Sequence, residues 1–350
     1  MNKYFLLAVF LILCLIFANL ITNTFYSLDL SEPKDNMYTT DEKIYLKSFY
    51  LQKQGLSYYQ AQLLAVEKEE GNITLDTNVF AWRLPTIFFI WKIFAVDGYQ
   101  IVRLFWFLTF ISFACIFFIN KKFTNLLFAF LGPILLLPYF YDALTYQTSF
   151  LLTEWWAWFV LIFALFLFIY RRFFLAWPFF LLSCLIREQM IIPIVAFFIL
   201  SLFFKKHRRY FLLIILFFLL FFNQHYKSVV LATNIQTTGN ILNSITKRVH
   251  GFQKISFLKI TAFLMRRYPL IQHKINQIII LISALSLTIN ILKKPINHYL
   301  YYFLASSWSL FITIPFIITG AHTDYWGILF MPGLIATIPL IFSKKAQLDI

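Results

Sequence analysis

Long runs of Phe, Leu and Ile alternate with shorter polar segments along almost the whole chain. A helix needs about 20 mostly apolar residues to cross a bilayer, and it satisfies its backbone hydrogen bonds internally. The pattern therefore predicts an all-α integral membrane fold with about ten transmembrane helices, in which 1–350 forms a single polytopic membrane domain. The predicted spans lie at roughly 4–22, 99–119, 123–140, 150–170, 173–186, 189–204, 210–223, 274–292, 297–319 and 324–342.

Two polar segments are longer than the turns between the other runs. The first, 23–98, predicts a first outer loop, and the helical spacing of its apolar residues predicts juxtamembrane helices over 42–56 and 57–70. The second, 224–271, predicts a second long outer segment. Either an amphipathic helix on the membrane surface or an undetected extra pair of spans fits its sequence.

The basic residues predict the orientation of the chain. Cytoplasmic loops accumulate Lys and Arg, and each tight basic cluster here follows a run that would cross inward, so both termini are predicted inside. Of the 15 Asp and Glu residues, only Asp349 then falls on the inner side. The chemistry is therefore expected on the outer face. The inner clusters are Lys121-Lys122, Arg171-Arg172, Lys205-Lys206 with Arg208-Arg209, Lys293-Lys294 and Lys344-Lys345.

Composition narrows the class of protein. A hydrophobic share of 61% and a mean hydropathy of +0.74 exclude an ordinary soluble domain. The net charge of +15 does not predict a nucleic-acid partner, because most of the basic residues flank spans and are suited to anionic membrane lipids. We expect a multi-pass protein of the cytoplasmic or inner membrane. No Gly-rich phosphate loop or zinc-ligand spacing is present in the sequence.

Adjacent carboxylates, Asp41 and Glu42, follow the predicted first span. One interpretation is structural: Thr40 or Asp41 caps a helix, and acids stabilise its positive end. The other interpretation comes from a resemblance. The chain resembles the GT-C superfamily of polytopic glycosyltransferases, which place an acidic motif, often followed by Tyr, in this outer loop. Asp41, Glu42 and Tyr45 match that motif as they stand.

The resemblance extends along roughly 1–200 in order and spacing. Later features that look like those of the superfamily are Arg83-Leu84-Pro85, Asp97-Gly98 with Arg103, Thr153-Glu154 and Arg187-Glu188. Beyond that range only Asp324-Tyr325 and Pro332 are similar to a loosely kept motif. Asp324 and Tyr325 would either close the site from the opposite side or form a solvated turn.

The resemblance implies a function on the outer face. Such enzymes move a sugar from a polyprenyl-phosphate-linked donor to an acceptor, which here would be a glycan, lipid or protein. It implies Asp41 as the candidate general base, with Glu42 orienting it or helping to hold a divalent metal. Substrate-binding roles are implied for Tyr45, Arg83, Arg103, Glu154, Arg187, Glu188, Asp324 and Tyr325.

Arg187 has two interpretations. Its guanidinium matches phosphate oxygens and would bind the carrier phosphate, or it forms an ion pair with Glu188 or Glu154. The rival function for the chain as a whole is a transporter or flippase of lipid-linked saccharides. That function predicts charged groups at mid-membrane, broken helices or internal repeats, whereas the charges in this sequence gather at the ends of apolar runs.

Overall fold

A computed structural model describes residues 40–70, 82–145, 149–233, 269–292, 298–317 and 324–343. Every regular element in these ranges is helical, which confirms the all-α prediction. The predicted span 4–22 and the amphipathic helix considered over 255–268 lie outside the described residues. Of the predicted second outer segment, only 224–233 and 269–271 are described.

Three short helices occupy the region of the predicted first outer loop. Helix α1 is Thr40–Lys53, α2 is Tyr58–Glu70 and α3 is Thr86–Phe94. The first two match the helices expected over 42–56 and 57–70. Asp41 and Glu42 lie in the first turn of α1 and Lys53 in its last, so the charges complement the helix dipole. Helix α1 packs against both α2 and α3.

Eight further helices follow in the described ranges, at positions close to the predicted spans. Most of the predicted ends agree within a few residues, and α7 coincides with the prediction of 173–186. The helices are α4 (Gly98–Phe123), α5 (Leu126–Thr145), α6 (Thr153–Ile169), α7 (Phe173–Ile186), α8 (Ile191–Phe203), α9 (Arg208–Thr233), α10 (Pro269–Leu292) and α11 (His298–Ile317).

Two described segments, Gly98–Phe123 and Arg208–Ala232, are long and apolar enough to cross a membrane by length and composition. This agrees with membrane association but does not by itself establish a ten-helix topology. Helix α6 is central, because nearly all of its residues are buried. A helix that is apolar on every side belongs in the interior of a bundle.

Helix α9 is longer than the sequence predicts. The expected span ends at residue 223, but the helix continues to Thr233, well into the predicted second outer segment. Hydropathy falls at Asn223, Gln224 and His225, and this fall gave the predicted end. The helix continues because polar residues can remain helical when tertiary contacts hold them. His225 is buried and bonded to Tyr59 of α2.

The last predicted span, 324–342, is not one helix. It divides into a 3-10 turn (Asp324–Leu329), helix α12 (Met331–Thr337) and a second 3-10 turn (Ile338–Phe342). Proline supplies no backbone N–H, and Pro332 and Pro339 stand at the start of the last two elements. Irregular backbone inside a bundle needs other hydrogen-bond partners.

Polar side chains of α4 and α10 supply those partners. Asn120 Nδ2 donates to the Ala336 carbonyl at 3.1 Å, and Ser286 Oγ donates to the Thr337 carbonyl at 2.9 Å. Asn290 Nδ2 donates to the Leu340 carbonyl at 3.0 Å. Buried amides and hydroxyls on neighbouring helices therefore stabilise the broken segment.

Gly333 of α12 leaves no room for a side chain. A Cβ atom there would lie 1.9 Å from Ser307 Oγ and 3.0 Å from Ser307 Cβ. We expect Gly333→Ala to lower the free energy of unfolding by about 1–3 kcal/mol through overpacking, measured by denaturant titration in detergent micelles. Adding Ser307→Gly removes both atoms and should recover most of that loss. Unchanged stability in Gly333→Ala alone would contradict the close contact.

Candidate functional site

Arg83 and Asp41 form an ion pair between the segment before α3 and the first turn of α1. Arg83 Nη2 lies 3.4 Å from Asp41 Oδ2, and Arg83 Nε donates to the Tyr45 hydroxyl. Asp41 and Tyr45 are four residues apart on α1, so they share one face of the helix. The backbone carbonyl of Arg83 accepts a hydrogen bond from the Tyr58 hydroxyl of α2. These contacts bring three of the predicted site residues together.

The members of this set differ in exposure. The side chain of Asp41 is 35% exposed, whereas that of Arg83 is 10% exposed and Glu42 is buried. Burial raises the pKa of Tyr58 well above its ordinary value, with a smaller contribution from Tyr59. The Tyr58 hydroxyl therefore stays protonated and keeps donating to Arg83. Asp41 is the most exposed member of the set, and Arg83 keeps a small exposed fraction beside it.

A second set of charges lies deeper, where α6 begins and α7 ends. Arg187 Nη2 is 2.7 Å from Glu154 Oε1, and both side chains are 0% exposed. Arg187 Nη1 is 3.6 Å from Glu188 Oε1, which also accepts a hydrogen bond from Gln189 Nε2 at 3.0 Å. Glu154 stands in the first turn of α6, where the helix dipole favours a carboxylate.

The ion-pair interpretation of Arg187 therefore describes the observed geometry. Arg187 lies at the end of α7, as its place between two apolar runs predicts, but its side chain is fully enclosed. Hydropathy places a residue along the chain but not within the bundle. The three residues Glu154, Arg187 and Glu188 do come together, as their shared place in the predicted site requires.

The two sets lie at the same end of the bundle. Phe88 of α3 contacts the rings of Tyr45 and Tyr58, with centroids 5.8 Å and 5.1 Å away. Trp91 lies one turn further along α3, and its ring centroid is 5.5 Å from that of Trp156 of α6. Trp156 is two residues after Glu154 in the sequence. The aromatic rings of α3 therefore form a layer between the open set, around Asp41 and Arg83, and the enclosed set, around Arg187.

Electrostatic interactions also connect the two sets. The hydroxyl of Tyr58 interacts with the charges of both Arg83 and Glu188. Glu188 also acts on His225 of α9, whose Nδ1 lies 2.9 Å from the Tyr59 hydroxyl. Sequence reasoning missed Tyr58, Tyr59 and His225. Only helical spacing places the two tyrosines beside the acidic motif, and no local signal indicates the histidine.

The remaining predicted site residues take other positions. Arg103 lies exposed on α4, and the side chain of Asp97 accepts a hydrogen bond from the Gln100 backbone N–H to cap that helix. Asp324 and Tyr325 lie in the 3-10 turn that packs against α6.

The described residues contain no group of three or more His, Cys, Asp or Glu side chains placed to hold a metal ion. Asp41 and Glu42 are two adjacent carboxylates, and a divalent metal at this pair stays a prediction. No protein-family model, no curated protein and no solved structure matches the chain. The resemblance to the GT-C superfamily therefore depends on the motif residues alone.

Proposed function

We propose that this chain is a multi-pass membrane glycosyltransferase of the GT-C kind. It would have about ten transmembrane helices, both termini inside and an active site on the outer face. Its donor would be a polyprenyl-phosphate-linked sugar, and its acceptor a glycan, lipid or protein. The order of the motifs from Asp41 to Glu188 supports this proposal, as does the meeting of those motifs at one end of the bundle.

The observation that carries the proposal is the half-open Asp41–Arg83 pair. A carboxylate that reaches solvent, held beside a guanidinium that is nearly buried, supplies the two charges that this transfer needs. The carboxylate of Asp41 accepts a proton from the acceptor hydroxyl, and the guanidinium of Arg83 stabilises the negative charge of the departing phosphate. The Tyr45 and Tyr58 contacts fix Arg83 before any substrate arrives, so little reorganisation is needed.

In the proposed reaction, the oxygen of the acceptor hydroxyl attacks the anomeric carbon of the sugar. Asp41 takes the proton of that hydroxyl as the attack proceeds. The bond between that carbon and the phosphate oxygen breaks, and the carrier phosphate leaves with the electron pair. Arg83 donates to the phosphate oxygens, which is one of the two roles that the sequence left open for Arg187. A divalent metal at Asp41 and Glu42 would add positive charge for the same phosphate.

The enclosed Glu154–Arg187–Glu188 set has a positioning role in this proposal. Its charges are fully or almost fully buried, so it does not meet substrate in this conformation. It holds the start of α6 and the end of α7 together beneath the aromatic layer of α3. The open set is thereby built on a rigid base.

Arg83→Gln tests the phosphate role. We expect the KM for the lipid-linked donor to rise at least about tenfold, because a charge-assisted hydrogen bond to phosphate is lost. The measurement is transfer of radiolabelled sugar by purified protein from a panel of polyprenyl-phosphate donors. Lys92→Gln removes an exposed cation from the neighbouring helix α3 and should leave the KM unchanged. Equal donor KM values in the two variants would remove Arg83 from the mechanism.

A flippase of lipid-linked saccharides is the second candidate. Two observations favour it beyond the sequence: the enclosed charges of Arg187 and Glu154, and the broken helical segment over 324–342. Charged groups inside the bundle and interrupted helices are common in transporters. Translocation of the carrier in vesicles without acceptor separates the two functions. A flippase moves the carrier under those conditions, whereas a transferase leaves it in place.

A further inference from the structure

The end of the bundle opposite the candidate site carries a dense group of basic residues. Helices α4, α6 and α8 end there, and α7, α9 and α11 begin there. We use the name basic end cluster for five residues on four of these segments. They are Lys122 in the last turn of α4, Arg171 after α6, Lys206 and His207 between α8 and α9, and His298 at the start of α11.

The ring of Tyr299 joins these segments. Lys122 Nζ lies 5.8 Å from its centroid, and the centroids of His207 and His298 lie 6.3 Å and 4.1 Å from it. Tyr299 itself is buried, whereas Arg171 and Lys206 are exposed. The cluster is therefore a built arrangement around one aromatic side chain, with an open side towards solvent or lipid headgroups.

The backbone of the two turns adopts an unusual conformation. Arg171, Lys205 and His207 have φ values of 60°, 53° and 64°, in the left-handed region that residues with side chains rarely adopt. None of them is glycine, so packing must hold each turn in this form. Such backbone strain is frequent where side chains are held for a ligand. Two of the three residues belong to the basic end cluster.

The two imidazoles offer hydrogen-bond donors. The Nε2 atoms of His207 and His298 are buried and have no hydrogen-bond partner among the residues that the structure describes. Lys122, Arg171, Lys206 and His207 act electrostatically on His298, and every one of these neighbours is basic. Partial burial, and then Lys206, lower the pKa of His207. An anion between the imidazoles would offset the repulsion among these basic groups and accept a hydrogen bond from an N–H group of each ring.

We propose that the basic end cluster is a binding site for a phosphate group, either free phosphate or the headgroup of an anionic phospholipid. Ammonium, guanidinium and imidazole N–H groups can all donate to phosphate oxygens, and several of these donors converge here. In the proposed topology this end faces the cytoplasm, where the leaflet carries anionic lipid. The proposal does not depend on glycosyl transfer, since it concerns the other end of the bundle.

Titration of the purified full chain with inorganic phosphate tests the proposal, with chloride of equal ionic strength as the reference. We expect saturable binding by calorimetry that weakens about tenfold in Lys206→Gln and in His298→Gln. Lys121→Gln removes the same charge from an exposed position in the last turn of α4 and should leave the affinity unchanged. The second readout is the histidine titration followed by NMR, in which phosphate should raise the pKa of His207.

Nanodiscs of phosphatidylcholine with or without phosphatidylglycerol distinguish the two sources. Thermal stabilisation by phosphatidylglycerol that Lys206→Gln removes would assign the site to a lipid headgroup. Saturable binding in detergent without a lipid effect would assign it to free phosphate, and either result upholds the proposal. The proposal is overturned if neither ligand acts beyond matched chloride, or if Lys121→Gln weakens binding as much as Lys206→Gln. An unmoved His207 titration in bound protein would also overturn it.

Discussion

Asp41→Asn is expected to lower the kcat for sugar transfer by about two to four orders of magnitude, the usual contribution of a general base. The amide keeps the size and hydrogen-bonding shape of the carboxylate but accepts no proton at neutral pH. Asp41 is the half-open member of the site, and its removal leaves the enclosed charges untouched. The measurement is the initial rate of transfer at saturating donor, so that any loss of Arg83 orientation appears separately in KM.

Glu67→Gln is the matched control for this experiment. Glu67 lies exposed on α2, so the same change of carboxylate to amide there should leave kcat unchanged. Thermal unfolding of both variants shows whether the protein is still folded. Full activity in a folded Asp41→Asn protein would refute the assignment of the base, whatever the effect of Arg83→Gln on donor binding.

The helices of this fold are largely predictable because hydropathy and helix length are local properties. Helix α7 has the predicted ends, and α1 and α2 fall where the spacing of apolar residues places them. Arg187 ends α7 with extended backbone, as the polar break in the sequence suggests. Predictions of this kind need no knowledge of which helix packs against which.

The predicted helix bounds are wrong where tertiary hydrogen bonds, and not hydrophobicity, determine the local structure. The segment 324–342 is apolar enough to predict one span, yet Pro332 and Pro339 interrupt it and side chains such as Asn290 complete its hydrogen bonds. Helix α9 continues past residue 223 because His225 finds a partner on α2. A hydropathy pattern contains no information on such partners, which lie far away in the sequence.

In the candidate site, too, local spacing is predictable from the sequence, whereas contacts between distant residues are not. The four-residue spacing of Asp41 and Tyr45 predicts a shared helix face, and the structure has it. Arg83 is 42 residues from Asp41, and only the fold brings their charges within 3.4 Å. The sequence left Arg187 between phosphate binding and an ion pair. Its complete burial beside Glu154 decides for the ion pair in this structure.

The enclosed pair also gives the largest expected effect on stability. Glu154→Leu removes the carboxylate that lies 2.7 Å from Arg187 Nη2 in a site without solvent access. Arg187 would keep only the longer, 3.6 Å pair with Glu188. Breaking a buried ion pair is costly, and we expect the free energy of unfolding to fall by about 3–5 kcal/mol. Glu154→Gln keeps an acceptor oxygen for the guanidinium and should lose less. Denaturant titration of the purified chain in detergent micelles measures both variants.

Glu67→Leu separates this effect from a general cost of losing a carboxylate. At the exposed position on α2 the same substitution should change the free energy of unfolding by no more than about 0.5 kcal/mol. If Glu67→Leu and Glu154→Leu lowered the free energy of unfolding by the same small amount, solvent would have to reach Arg187 and hydrate its charge in place of Glu154. Arg187 would then be open enough to meet a carrier phosphate, and its role would pass from positioning to binding.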